Sequence, residues 1–171
     1  FVLAHFLYTF YPIAIIGTFA GFTYWFPKMF GRMMNETLGK LHFWLTIIPF
    51  NLIFLPLFVL GASGQHRRIY DYTNFPELSQ PWQQDLRVLA TVSLCVMLGA
   101  QLIFFYNVIK SWISGPKAGK NPWNAATLEW TATAPPPHGN WPEGLPNCYR
   151  GPYEYSVPGR DKDYWPQTEP A

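Results

Sequence analysis

Three stretches of this chain contain no Asp, Glu, Lys or Arg: residues 1–27, 41–66 and 88–109. Each is long enough to cross a bilayer, for which about 20 apolar residues suffice. A lone span in lipid must be helical, because every backbone N–H and C=O needs a partner within the segment. A buried helix of a water-soluble protein is usually shorter and shows a polar face. The three runs therefore predict an all-α integral membrane protein with three transmembrane helices. Averages over the chain conceal this pattern. Mean hydropathy is +0.00, because the polar last third, which holds most of the 17 prolines, offsets the apolar part.

The first predicted span covers 1–26, broken by Pro12, with Gly17 and Gly21 as small residues for close helix contact and Trp25 at an interface. The second covers 41–61 and contains Pro49 and Pro56, which a membrane helix tolerates when neighbours satisfy the freed carbonyls. The third covers 87–113 and stops at Gly115-Pro116. The expected organisation is a three-helix transmembrane segment over 1–114 and an extramembrane tail over 115–171. Its many aromatics argue that the tail is ordered, and its prolines that it is irregular.

Lys28, Arg32 and Lys40 outnumber Glu36 in the first loop, and Lys110, Lys117 and Lys120 flank the start of the tail. With three alternating spans both lie on one side, expected to be cytoplasmic or matrix-facing. The loop with Arg67 and Arg68 then faces outward, its arginines nearly offset by Asp71, Glu77 and Asp85. The net charge of +2 comes without a basic run, so no nucleic-acid partner is implied. Cys95 lies in a span and Cys148 in the tail, so no disulfide framework is expected. Phe1 has no basic leader and does not read as a signal peptide; it reads as the interior of a helix begun elsewhere.

His5 is the ionisable residue of the first span. An imidazole in a membrane is expensive enough that function is the default reading. Heme or metal ligation, an interhelical hydrogen bond and a place near the headgroups all remain open. His42 reads as a solvated or capping residue at the start of the second span, and His66 and His138 as surface or packing residues. The adjacent guanidiniums of Arg67 and Arg68 repel one another and attract anions, either lipid headgroups or planar carboxylates. No CxxC or HExxH motif and no carboxylate cluster occurs, so the chain by itself is not expected to build a zinc or di-iron site.

The ordered set AHF at 4–6, YWFPKM at 24–29, GR at 31–32, Asn35, LGKLHFW at 38–44, FN at 50–51, LG at 60–61 and G-x-x-RR at 64–68 resembles subunit I of the heme-copper respiratory oxidases. The tail adds NPW at 121–123, TLEW at 127–130 and PPPH at 135–138. The likeness is ungapped from Phe1 through Tyr72 and weakens over 73–115 and after His138. It is nearest the cytochrome c and quinol oxidase branch.

This resemblance implies the C-terminal third of that subunit, its spans being the last three of twelve core helices. By the same likeness His5 matches the ligand of the high-spin heme iron, and Arg67 and Arg68 match the pair that holds heme propionates. Oxygen would be reduced to water with proton translocation, on an a-type or o-type heme facing a copper B held by helices outside this chain. No catalytic residue lies within this chain alone. Implied partners are the remaining helices of subunit I, other oxidase subunits, cytochrome c or quinol as donor, and the lipid bilayer. The bacterial inner (plasma) membrane is the expected location, with the mitochondrial inner membrane as the alternative. One departure stands out: the family reads H-F-H where this chain has His5-Phe6-Leu7. The second histidine binds the low-spin heme, and leucine cannot coordinate iron. A non-catalytic oxidase-like scaffold in a respiratory supercomplex is therefore one competing reading; a nitric oxide reductase relative is another, since the metal ligands that would distinguish it lie outside this chain.

Overall fold

The computed structural model describes residues 1–154, 156–161 and 165–170, and these contain helices and irregular chain but no β-strand. The first span is one helical rod of α1 (Val2–Tyr11), a π-helical turn (Pro12–Ile16) and α2 (Gly17–Phe30). The second is α3 (Glu36–Ala62) and the third α4 (Pro81–Ser114). All three are long and apolar enough to cross a membrane. The chain is a multi-pass membrane protein.

Local chemistry explains where these helices begin, bend and end. Pro12 has no N–H to give one turn back, and Gly17 donates instead to the Pro12 carbonyl in the wider register of the π turn. The Asn35 side chain caps α3 by accepting from Leu38 N at 3.0 Å. Gln83 caps α4, its side-chain oxygen accepting from Gln80 N at 3.2 Å just ahead of Pro81. Gly115 donates to Ser111 O at 2.8 Å, and Pro116 follows. A side chain at Gly115 would sit 2.3 Å from Ser111 O and 2.8 Å from Met33 O, so only glycine fits.

The spans run longer than charge alone suggests. α3 starts at Glu36, five residues before the charge-free run, and α4 at Pro81, ahead of Asp85 and Arg87. Capped ends carry polar residues, and charge counting mistakes those turns for loop. Lys28, expected in the loop, belongs to the last turn of α2 and is buried.

The chain divides into two compact units, one made of Phe1–Gly21 with Asn35–Ile109 and the other of Phe22–Met34 with Lys110–Ala171. In the first, Phe50, Ile53 and Phe54 of α3 and Met97 of α4 form the core, joined by Leu7, Tyr8 and Tyr11 of α1. Ala4, Leu7, Tyr8 and Tyr11 make an i, i+3, i+4, i+7 stripe, which is one helix face. The Tyr8 hydroxyl donates to Asn51 Oδ1 at 2.9 Å, registering α1 on α3. Asn107 donates to Asn35 O at 3.0 Å and its Oδ1 accepts from Asn35 N at 3.2 Å, tying the start of α3 to α4. Phe6 and Phe10 on α1, Ile13 in the π turn and Leu102 and Phe105 on α4 stand exposed, which a bilayer or a protein neighbour tolerates and water does not.

In the second unit, the tail is irregular apart from a 3-10 turn at Leu128–Thr131. It wraps the end of α2. Lys28 Nζ donates to the carbonyls of Ala132, Lys120 and Thr133, the last two at 3.3 and 3.4 Å, and lies 5.1 Å from the Trp130 ring centre. Trp130 Nε1 donates to the Tyr24 hydroxyl at 2.8 Å and Trp123 Nε1 to the Tyr24 carbonyl at 2.9 Å. Farther along, Gln167 donates through its backbone N to Ala126 O and through Nε2 to Arg150 O, while its Oε1 accepts from Leu128 N.

Candidate functional site

His5 lies one turn into α1, and its ring centre is 6.5 Å from that of Phe58 on α3. The two helices nearly touch at this end. A side chain at Gly61 would come within 2.0 Å of Phe1 N, so the glycine is what permits the approach. The His5 carbonyl accepts from Thr9 Oγ1 at 3.1 Å. Its imidazole is exposed and has no hydrogen-bond partner among the described residues. Leu7 follows about 200° farther round the helix and joins the apolar core. α1 thus directs Leu7 into packed hydrocarbon and leaves the His5 ring without a hydrogen bond among the described residues.

The arginine pair follows the same end of α3. Gln65 N donates to Leu60 O at 3.1 Å across Gly64, whose φ of +93° needs glycine, and the chain turns off the helix there. Arg67 and Arg68 come next. Both are exposed, and among the described residues neither guanidinium has a hydrogen bond or an acidic partner. Arg68 is left-handed, with φ of +62°, which disfavours any residue with a Cβ. An imidazole in an apolar span and two guanidiniums beyond the end of its neighbour, all exposed, are thus open to partners from outside the described residues.

His42 corrects the sequence expectation. It is buried, not solvated, because α3 begins earlier than charge counting suggests and carries it almost two turns inward. Its Nε2 lies 3.2 Å from Gln101 Oε1, and Gln101 Nε2 contacts Thr46 Oγ1 at 3.5 Å. Phe19 packs edge-on against the ring and Phe104 lies tilted beside it. Gln101 was the available signal, since an amide inside an apolar run must find a partner. His66 and His138 are exposed.

In the loop after α3, the Asp71 carboxylate accepts from Thr73 Oγ1 at 2.7 Å and Thr73 N at 2.9 Å, capping the turn Tyr72–Asn74. The bond from the Thr73 hydroxyl, then that from its amide, holds this carboxyl below the usual aspartate range.

The family model for cytochrome c and quinol oxidase polypeptide I matches residues 1–96. Over 171 residues the chain is 40% identical to the alternative cytochrome c oxidase subunit 1 of Bradyrhizobium diazoefficiens, covering 99% of this chain and 29% of that protein. It is 40% identical over 162 residues to cytochrome c oxidase subunit 1 of Thermostichus vulcanus, covering 95% of this chain and 28% of that one. The corresponding protein of a Synechocystis strain is 42% identical over 158 residues, covering 92% of this chain and 27% of its own length. The chain thus spans less than a third of these relatives.

Proposed function

The chain belongs to the cytochrome c and quinol oxidase polypeptide I family, and from that premise we propose that it is the C-terminal third of the catalytic subunit of a terminal heme-copper oxidase. The complete oxidase would reduce oxygen to water and translocate protons. The reading is carried by one observation: the His5 imidazole and the Arg67 and Arg68 guanidiniums, none with a hydrogen bond among the described residues, belong to the same end of the α1–α3 pair.

Those donors fit a heme. The His5 nitrogen would hold the high-spin iron from the side of α1, and Arg67 and Arg68 would bind the propionates, their planar forks matching carboxylates. When bound, the a-type or o-type heme supplies the iron at which oxygen is reduced, with copper B contributed by helices outside this chain. The arginines would also raise the heme potential, since positive charge favours the reduced iron. Residues 1–114 would lie in the bacterial inner membrane, or in its mitochondrial counterpart, with 115–171 on the cytoplasmic or matrix face. The rest of subunit I, other oxidase subunits and a cytochrome c or quinol donor would complete the assembly.

The test is His5→Ala in the assembled complex, followed by optical spectra and oxygen consumption. The high-spin heme signal and oxygen uptake should both disappear. Carbon monoxide binding that survives the substitution would sink the assignment. Arg67→Ala should lower the heme potential with a smaller loss of heme, whereas an unchanged potential would point to headgroup binding.

A second reading has one observation behind it. Leu7 packs against the core of Phe50, Ile53, Phe54 and Met97, and leucine cannot coordinate iron. A chain with this core suits a non-catalytic oxidase-like scaffold whose low-spin heme is lost. A pyridine hemochrome assay on the purified complex separates the two readings by counting hemes.

A further inference from the structure

The loop that carries Arg67 and Arg68 is clamped from both sides by one side chain. Arg87, in the second turn of α4, donates through Nη2 to Leu78 O, through Nε to Gln65 Oε1 at 3.2 Å and through Nη1 to Gln84 Oε1 at 3.4 Å. Its guanidinium also lies 3.8 Å from the centre of the Tyr72 ring. Gln65 Nε2 in turn donates to the Tyr72 hydroxyl at 3.3 Å. Gln65 is two residues before Arg67 and Tyr72 four residues after Arg68. The stretch between them is therefore tied at its two ends to the same cation.

We propose that Arg87 is a positioning residue that fixes the Arg67–Arg68 tip toward the anion the pair binds. The tip needs such support. Arg68 is left-handed, and a residue with a Cβ stays there only when its surroundings hold it. Both tip guanidiniums are exposed and unpartnered among the described residues, so the tip does not hold itself. Arg87 differs from them in kind: it is half-buried, and its hydrogen bonds go to neutral oxygens of the loop and of its own helix. A planar fork that stacks on an aromatic ring while donating at its edges is a role lysine cannot fill. Because electrostatic attraction falls with distance, a tip that wanders weakens its hold on any carboxylate. The identity of that carboxylate as a heme propionate rests on the function proposed above.

The experiment compares Arg87→Lys and Arg87→Gln with Arg67→Ala/Arg68→Ala in the assembled oxidase. Hydrogen–deuterium exchange is read over 66–71, and heme potential by redox titration. Arg87→Lys keeps the charge and loses the fork. It should speed amide exchange in the tip about tenfold, as expected when anchoring hydrogen bonds are removed. It should also lower the heme potential by less than the double arginine variant does, and add nothing further in that background. Unchanged exchange in both Arg87 variants would overturn the proposal. So would a wild-type potential in Arg87→Lys beside a lowered one in Arg87→Gln, which would mark Arg87 as a distant charge only. A double arginine variant with wild-type potential would refute the propionate assignment, and the exchange data would still decide whether Arg87 holds the tip.

Discussion

The two units of this chain satisfy the same requirement in different ways. In the unit of Phe1–Gly21 and Asn35–Ile109, helices satisfy most backbone groups internally, and side chains are left to choose neighbours through pairs such as Tyr8–Asn51 and His42–Gln101. In the unit of Phe22–Met34 and Lys110–Ala171 the backbone mostly lacks a ladder, and side chains serve it directly. Lys28 serves three carbonyls, Arg150 serves those of Glu169 and Pro166, and Gln167 bridges strands of irregular chain. Losing a polar side chain that pairs two helices should therefore cost little in the first unit, because the helical backbone stays satisfied. Losing one that serves the irregular backbone of the second should cost more, because carbonyls such as that of buried Ala132 lose their donor.

The sharpest way to break this comparison is Lys28→Met. It keeps the apolar stem and removes the ammonium from the carbonyls of Lys120, Ala132 and Thr133. Hydrogen bonds to charged groups contribute about 1.5–3 kcal/mol, so the tail should loosen by roughly that much. Limited proteolysis of the tail in membranes would measure it, and cleavage at the wild-type rate would contradict the contrast. Gln101→Leu is the matched change in the first unit. Hydrogen bonds between membrane helices average about 0.6 kcal/mol, so the bundle should lose little stability in a detergent-denaturation titration. A loss as large as that of Lys28→Met would erase the distinction.

The smallest effect belongs to Asp71, whose turn is exposed. Its carboxyl titrates below the ordinary value because the Thr73 hydroxyl and amide favour the charged form. A depressed folded value contributes stability above the unfolded pKa of about 3.9. That contribution fades as pH falls through the lower folded value. Amide exchange at Thr73, divided by its intrinsic rate at each pH, should accordingly stay constant down to about pH 4 and rise only below it. A rise already at pH 6 would mean that another group controls the turn.

The spans were legible in the sequence because an absence of charge over some 20 residues has few physical alternatives. Their ends were not, since capping places polar residues inside helices, as at Glu36, Gln83 and Asp85. His5, Arg67 and Arg68 stood out as costly polar groups beside apolar runs. Apart from the amide of Gln101 inside an apolar run, nothing marked the contacts of Lys28, His42 and Arg87, and for a common reason. Their partners lie far along the chain, up to 105 residues away for Lys28, or in loops with no periodicity from which a contact could be inferred.

The π turn at Pro12–Ile16 has a geometric consequence for the whole first span. A helix advances by about 100° per residue, so one extra residue in a turn shifts the azimuth of everything beyond it by that angle. Upstream, Leu7 and Tyr8 point at the α3 core, and downstream Phe19 meets His42 and Phe104. Both orientations depend on the residue count between them. Deleting a single residue there would swing the His5 ring by about a quarter turn relative to Phe19. The length of the stretch thus sets the rotational phase of the end that carries His5.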